Sequence, residues 1–137
     1  MWTIIVSIFP YAIAYTIPLL ITALGALCSE RSGIVNIGLE GLMVVGQFAC
    51  ALMVFVLQPV ISNSDTIVWI GIAASMIVGA IFSLLHAFAC INLNANQVIS
   101  GTAINMIAGA LTVFFARNIT GSGKIRVPSL SRIDIPV

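Results

Sequence analysis

Long apolar stretches, separated by short polar segments, run through this chain of 137 residues. Met1–Ser29 and Gly41–Ser64 contain no Asp, Glu, Lys or Arg, and neither does the 51-residue stretch Thr66–Ala116. A membrane span needs about 20 residues, so the longest stretch has room for two helices and a short connection. We therefore predict an all-α polytopic membrane bundle of four transmembrane helices, with spans at about residues 2–28, 41–58, 67–90 and 98–116.

Composition supports a membrane protein. The chain is 61% hydrophobic and only 7% charged, whereas soluble domains carry roughly 25% charged residues. Membrane lipid is therefore the expected surrounding. The five basic residues are too scattered for a nucleic-acid partner, which requires a clustered basic face. The spacing of Cys28, Cys50 and Cys90 does not suggest a metal site.

A polar, glycine-rich segment lies between the first two predicted spans. Ser29–Glu40 contains three of the nine formally charged residues, and Gly41 follows. Lipid satisfies no backbone hydrogen bonds, so such a segment at membrane depth is expected to be covered by protein or to line a wet cavity. Asn36 and Glu40 would share one face if the segment were helical. We favour a glycine-interrupted segment beside a solute pathway; the alternative is a solvated loop with a capping carboxylate.

A second polar segment, Asn92–Gln97, precedes the fourth predicted span. Amides and hydroxyls both donate and accept hydrogen bonds, which suits neutral solutes that carry several hydroxyl groups. The alternative is a simple turn between two spans. The complete set of predicted pathway residues is Gly33, Asn36, Gly38, Glu40, Gly41, Asn96, Gln97, Ser100 and Asn105.

Small residues recur every four positions along the third span and predict close helix packing. His86, on the same span, is interpreted as a packing residue rather than a proton relay. Residues 117–137 are predicted to form a polar loop that looks truncated. The predicted packing residues are Gly71, Ser75, Gly79, Ser83, Gly101 and Gly109.

The sequence contains no catalytic motif. It lacks HExxH, paired aspartates, a serine–histidine arrangement and the phosphate-binding GxxxxGK[ST] motif. We therefore predict that the chain is not an enzyme and binds no cofactor. If ATP drives its activity, another chain must supply the nucleotide site.

Two long motifs resemble a known family. Leu24–Met43 and Asn94–Asn105 are similar to signatures of permease subunits in bacterial ABC importers, specifically the nucleoside and simple-sugar branch related to ribose and branched-chain amino acid permeases. Residues 123–137 resemble the loop that follows in that family. The similarity covers essentially the whole chain and corresponds to the N-terminal half of such a permease, without the cytoplasmic coupling helix.

This resemblance implies a multi-pass permease of the bacterial plasma (inner) membrane. It would pair with a second, identical or homologous permease subunit, with a cytoplasmic ATPase that binds ATP and Mg, and with an extracytoplasmic solute-binding lipoprotein. In the family, the segment matching Gly33–Gly41 interrupts a helical hairpin beside the pathway, which favours Asn36 and Glu40 as pathway residues. Gln97 and Asn105 would lie at the mouth and wall of the fourth span.

The expected solute is a nucleoside, or else a ribose- or galactose-like sugar, moved by ATP-driven alternating access. Two other functional classes stay open, namely a solute channel without ATP drive and a structural four-helix scaffold. The basic residues of the tail place it in the cytoplasm by the positive-inside rule. The resemblance places the same loop outside, and we favour the outside.

Overall fold

The computed structural model describes residues 2–127 of the chain, in which all regular secondary structure is helical. Each of the four helices is long and apolar enough to cross a membrane. The shortest has 19 residues, which at about 1.5 Å per residue nearly matches the hydrocarbon thickness of a bilayer. These features confirm the predicted all-α polytopic architecture. The helices are α1 (Trp2–Arg31), α2 (Leu39–Leu57), α3 (Ser64–Ile91) and α4 (Gln97–Thr120).

The fourth helix continues past the end of the predicted span at residue 116. Residues 117–120, predicted as the start of a polar loop, are helical in the structure. A charged side chain at Arg117 ends the apolar stretch, but it does not end the helix. The helix ends at Gly121, which adopts a left-handed conformation (φ +68°) and donates its N–H to the carbonyl of Arg117. Residues 128–137 of the predicted loop lie outside the described residues.

Residues 2–36 form one structural unit, made of α1 and the segment that follows it. The hydroxyls of Thr16 and Thr22 donate to carbonyls one turn earlier, at 2.7 and 2.8 Å, and so are satisfied within the helix. The end of α1 is a Schellman motif. Gly33 (φ +85°) donates its N–H to the Glu30 carbonyl, and Ile34 donates to the Ser29 carbonyl. Gly33 therefore has a local role in ending the helix.

The second unit begins at Ile37 and contains α2, α3 and α4. Helix α2 packs against both other helices, and its contact with α3 is the most extensive. Between apolar helices in a membrane, stability comes mainly from close packing and interhelical hydrogen bonds rather than from burial out of water. The buried apolar side chains at the helix contacts are Val45, Ala49, Val54, Ile67, Ile104, Ala108 and Ala116.

Only part of the predicted small-residue stripe on α3 contacts a neighbouring helix of this unit. A Cβ added at Gly71 would lie 3.0 Å from Cys50 Sγ and 3.3 Å from the Cys50 carbonyl oxygen, so the backbone of α3 at Gly71 packs directly against Cys50 of α2. A Cβ added at Gly46 of α2 would lie 3.8 Å from the Ser75 carbonyl oxygen of α3, so the two helices are also in contact near Ser75. Further along, Gly79 faces open space and Ser83 is exposed. A helix lying along that second part stays a prediction.

Candidate functional site

The N-terminus of α2 is capped by a side chain from another helix. Its own N-cap residue is Gly38, which has no side chain to accept from the first N–H groups. Asn105 of α4 takes this role. Its Oδ1 accepts from the Gly41 N–H at 2.7 Å, and its Nδ2 donates to the Ile37 carbonyl at 3.0 Å. Because a backbone N–H only donates and a carbonyl only accepts, these partners fix the orientation of the amide.

Two glycines allow α4 to approach the start of α2 this closely. A Cβ added at Gly41 would lie 2.8 Å from Asn105 Oδ1 and 2.9 Å from Asn105 Cα. One added at Gly101, a turn earlier on α4, would lie 2.8 Å from the Gly38 nitrogen. A side chain at either position would force the two backbones apart. We call these five residues, Ile37, Gly38, Gly41, Gly101 and Asn105, the α2–α4 joint.

Glu40 lies inside the sequence range of the joint, in the first turn of α2, and its side chain is exposed on this three-helix unit. The helix dipole favours a carboxylate at this end of a helix. Charged groups within a membrane protein usually face the interior of the complete bundle or a water-filled cavity, because lipid does not solvate them. An exposed carboxylate on a membrane helix therefore indicates a surface that water, solute or other protein covers.

Gln47 is a further candidate that the sequence analysis missed. It follows Glu40 by seven residues, about two helical turns, so the two side chains share a face of α2. Gln47 is exposed and lines a groove of about 240 Å³ between α2 and α4. The available signal was a lone amide in the middle of an otherwise apolar span, at helical spacing from an acidic residue. Other residues that line the groove are Val44, Phe48, Thr112, Val113 and Ile125.

Asn36 and Glu40 do not share a helical face. Residues 34–36 are not helical, and α2 begins only at Leu39. The condition for a shared face, a continuous helix through both residues, is therefore not met. Asn36 is half-buried at the end of the first unit, whereas Glu40 belongs to the second.

The polar segment before α4 has a local structural role. Asn94 adopts a left-handed conformation (φ +49°), which asparagine tolerates better than most residues. Asn96 is the N-cap of α4, and its Oδ1 accepts from the N–H groups of Val98 and Ile99 at 2.9 and 3.4 Å. Gln97, the first helical residue, is half-buried. These bonds support the turn interpretation; a pathway role for Asn96 and Gln97 stays a prediction.

His86 joins α3 to α4. It is only 3% exposed, and its Nδ1 lies 3.0 Å from the hydroxyl oxygen of Ser100. The thiol of Cys90, one turn along α3, lies 3.8 Å from the ring Nε2. A buried imidazole with an interhelical partner agrees with the packing interpretation of His86. Ser100, predicted as a pathway residue, has its hydroxyl at this contact.

The structure thus brings three predicted pathway residues together in the α2–α4 joint: Gly38, Gly41 and Asn105. Gly101, predicted for packing, belongs to the same cluster, whereas Gly109 faces open space. Asn96, Gln97 and Ser100 occupy the start of α4. Among the described residues, no group of three His, Cys, Asp or Glu side chains is placed to hold a metal ion.

Comparison with known proteins identifies the family. Residues 8–129 match the family described as "Branched-chain amino acid transport system / permease component". The chain belongs to this permease family. Together with the four membrane-length helices, membership makes it a multi-pass protein of the plasma membrane and a transport component rather than an enzyme.

The chain is also similar to ABC transporter permease proteins that are named for their solutes. The chain is 41% identical to the guanosine ABC transporter permease protein NupQ of Bacillus subtilis, over 95% of its own length and 43% of the relative's. It is 41% identical to the nucleoside ABC transporter permease protein NupC of Lactococcus lactis, over 82% of its length and 35% of the relative's. It is 39% identical to the putative glucose ABC transporter permease protein TsgC13 of Haloferax volcanii, over 83% of its length and 34% of the relative's.

The chain therefore spans less than half the length of these relatives. No solved structure is significantly similar to it.

Proposed function

We propose that this chain forms part of the permease subunit of an ABC importer that takes up a nucleoside, driven by ATP hydrolysis on separate subunits. The observation that carries this proposal is the 41% identity to two permeases named for guanosine and for nucleosides. A simple sugar is the second candidate solute, since the relative named for glucose is 39% identical. The ribose of a nucleoside and a free sugar present similar hydroxyl groups.

The exposed polar face of α2 is compatible with a solute of this kind. Glu40 and Gln47 supply three acceptor oxygens and an amide donor group along one side of an otherwise apolar helix. A nucleoside carries hydrogen-bond donors and acceptors on both its base and its ribose, and it has no net charge. Neutral or singly charged side chains therefore suffice to replace the water molecules that hydrate it. We propose that this face forms one wall of the pathway and that the remainder of the transporter forms the other walls.

The partners in this proposal follow from the family. They are a second permease subunit, a cytoplasmic ATPase that binds ATP and Mg, and an extracytoplasmic solute-binding lipoprotein. The 137-residue sequence contains no phosphate-binding GxxxxGK[ST] motif. This supports a division in which the permease provides the passage and the ATPase provides the energy.

The test measures solute uptake by the complete transporter, containing this chain, after reconstitution into proteoliposomes. The ATPase is part of the complex, and ATP is supplied on the side of the membrane where the ATPase lies. Labelled guanosine, ribose and glucose are supplied in turn with the binding protein. We expect ATP-dependent uptake of guanosine, and competition by other nucleosides. The control is a transporter whose ATPase has lost its catalytic glutamate.

Uptake that persists in that control would favour a solute channel without ATP drive. Uptake of sugar alone would replace the nucleoside with the second candidate. No uptake of any of these solutes by a correctly assembled transporter would contradict the proposal and favour a scaffold.

A further inference from the structure

We infer that Asn105 is a positioning residue that holds the start of α2 in place and acts on solute uptake through Glu40. The inference rests on the proposed function, in which Glu40 lines the solute pathway. It assigns to Asn105 a role different from direct contact with the solute.

The two bonds bracket Glu40 along the chain. One ends on the carbonyl of Ile37, three residues before Glu40, and the other on the N–H of Gly41, immediately after it. The backbone that carries Glu40 is therefore attached to α4 on both sides. Loss of either bond would leave this first turn attached at one side only, and a helix end with fewer partners frays more easily.

The steric fit places Asn105 against the backbone of α2. Its Cα lies 2.9 Å from the place where a Cβ of Gly41 would be, so that part of Asn105 directly faces the backbone of α2. Both the oxygen and the nitrogen of its amide are engaged by backbone groups. Asn105 is half-buried, whereas Glu40 is exposed. The group presented outward by the joint is thus the carboxylate, and the amide sets its position.

The first experiment measures position without requiring transport. Glu40 is replaced by cysteine in the complete transporter after Cys28, Cys50 and Cys90 have been replaced by alanine. The rate at which a charged methanethiosulfonate reagent modifies Cys at position 40 is then compared with and without Asn105→Ala. We expect the rate to change at least about threefold, the factor that corresponds to one average interhelical hydrogen bond in a membrane.

Thr102→Val is the matched control. Thr102 is an exposed residue of α4 whose hydroxyl donates to the Ile99 carbonyl at 2.9 Å within its own helix, so it leaves the joint intact. We expect an unchanged rate for this variant. Equal rates for Asn105→Ala and the parent would overturn the inference. If Asn105→Ala does not reach the membrane, Asn105→Leu replaces it, because leucine keeps nearly the same side-chain size and loses both hydrogen bonds without adding a charge.

The second experiment asks whether Asn105 acts through Glu40. Maximal uptake rates are measured for Glu40→Gln, Asn105→Ala and the double variant, each normalised to the amount of assembled transporter. If the amide serves only to place the carboxylate, the double variant should be no slower than the slower single variant. A double variant whose loss equals the product of the two single losses would show independent roles and overturn the inference.

The two experiments separate failure of this inference from failure of the proposed function. A transporter that takes up no nucleoside contradicts the proposed function, and the labelling rates still report whether Asn105 fixes position 40. Normal uptake by Glu40→Gln, in a transporter that does take up nucleoside, would overturn the inference and remove Glu40 from the proposed pathway wall, but it would leave nucleoside import itself standing.

Discussion

At the scale of single residues, a polar side chain in an apolar helix can serve the backbone of its neighbour. Asn105 was predicted as a pathway residue because an amide suits a neutral polar solute and because the family resemblance places it on the wall of the fourth span. The structure provides two partners, both backbone groups at the start of α2. The glycines at positions 41 and 101 then have a common explanation, because a Cβ at either would occupy the same contact.

Gly41→Ala tests this steric explanation. The added Cβ would lie within 3.0 Å of Asn105 Oδ1, Asn105 Cα and the Ile104 carbonyl oxygen, and the last two atoms cannot move without the backbone of α4. Overpacking of this kind typically costs about 1–3 kcal/mol. We expect a lower apparent melting temperature for the purified transporter in detergent and a reduced uptake rate.

Gly46→Ala is the control for that substitution. It lies on the same helix, and the nearest atom to its added Cβ is the Ser75 carbonyl oxygen at 3.8 Å, an ordinary contact. We expect it to melt at the parent temperature or slightly above, since alanine favours helix. Equal melting temperatures for the two variants would contradict the close approach at Gly41.

Gln47→Leu tests whether the polar face of α2 contacts the solute. The Gln47 amide lies on the exposed face of α2 in the groove with α4. If this face forms a wall of the pathway, Gln47→Leu keeps the volume and removes the hydrogen bonds to solute. We expect uptake to fall about 10-fold, as for the loss of one hydrogen bond of roughly 1.5 kcal/mol, without loss of assembled transporter. Gln58→Leu, at the other end of the helix, is the control and should leave uptake unchanged.

At the scale of helices, the spans were predictable from sequence because each depends on local composition. A run of apolar residues needs no distant partner to become a membrane helix. The helix starts at Ser64 and Gln97 also follow a local rule, since the side chains of Asn63 and Asn96 accept from N–H groups two or three positions further along. The start of α2 follows no such rule. Its cap comes from Asn105, 64 residues away from Gly41, and sequence spacing carries no information on that contact.

The stripe of small residues on α3 shows the same limit. Its period predicted a close contact, but not which residues make it. A Cβ at Gly71 would meet Cys50, whereas one at Gly79 would meet nothing within 4 Å among the residues that the structure describes. We therefore expect Gly71→Ala to lower the melting temperature of the purified transporter, because the Cys50 carbonyl belongs to the backbone of α2 and cannot turn aside.

Two further variants, Cys50→Ala and Gly79→Ala, test which residues make the contact at Gly71. Replacing Cys50 with alanine removes the sulfur at 3.0 Å and should restore part of the stability of Gly71→Ala, whereas the carbonyl contact at 3.3 Å persists. Gly79→Ala should leave the melting temperature unchanged if open space also surrounds it in the assembled transporter. A large loss at Gly79 would instead identify a helix from elsewhere in the complex along the second part of the stripe.

At the scale of the whole molecule, four spans require the connections to alternate between the two sides of the membrane. Residues 36 and 94 should then face one side, and residues 61 and 123 the other. Two arguments about the orientation of the chain in the membrane disagree. The positive-inside rule places the residue 123 side in the cytoplasm, because Arg117, Lys124 and Arg126 flank the end of α4. The family resemblance places that side outside, where a binding protein would dock, and we favour the latter.

Reporter fusions after each of these four positions decide both questions. Alkaline phosphatase is active only outside the cytoplasm, and green fluorescent protein serves as the complementary reporter inside. We expect phosphatase activity at residues 61 and 123 and fluorescence at residues 36 and 94. The inverse pattern would keep four spans and follow the charge rule instead. Equal signals at residues 61 and 94 would mean that α3 does not cross the membrane, in contradiction to its length of 28 residues and its apolar composition.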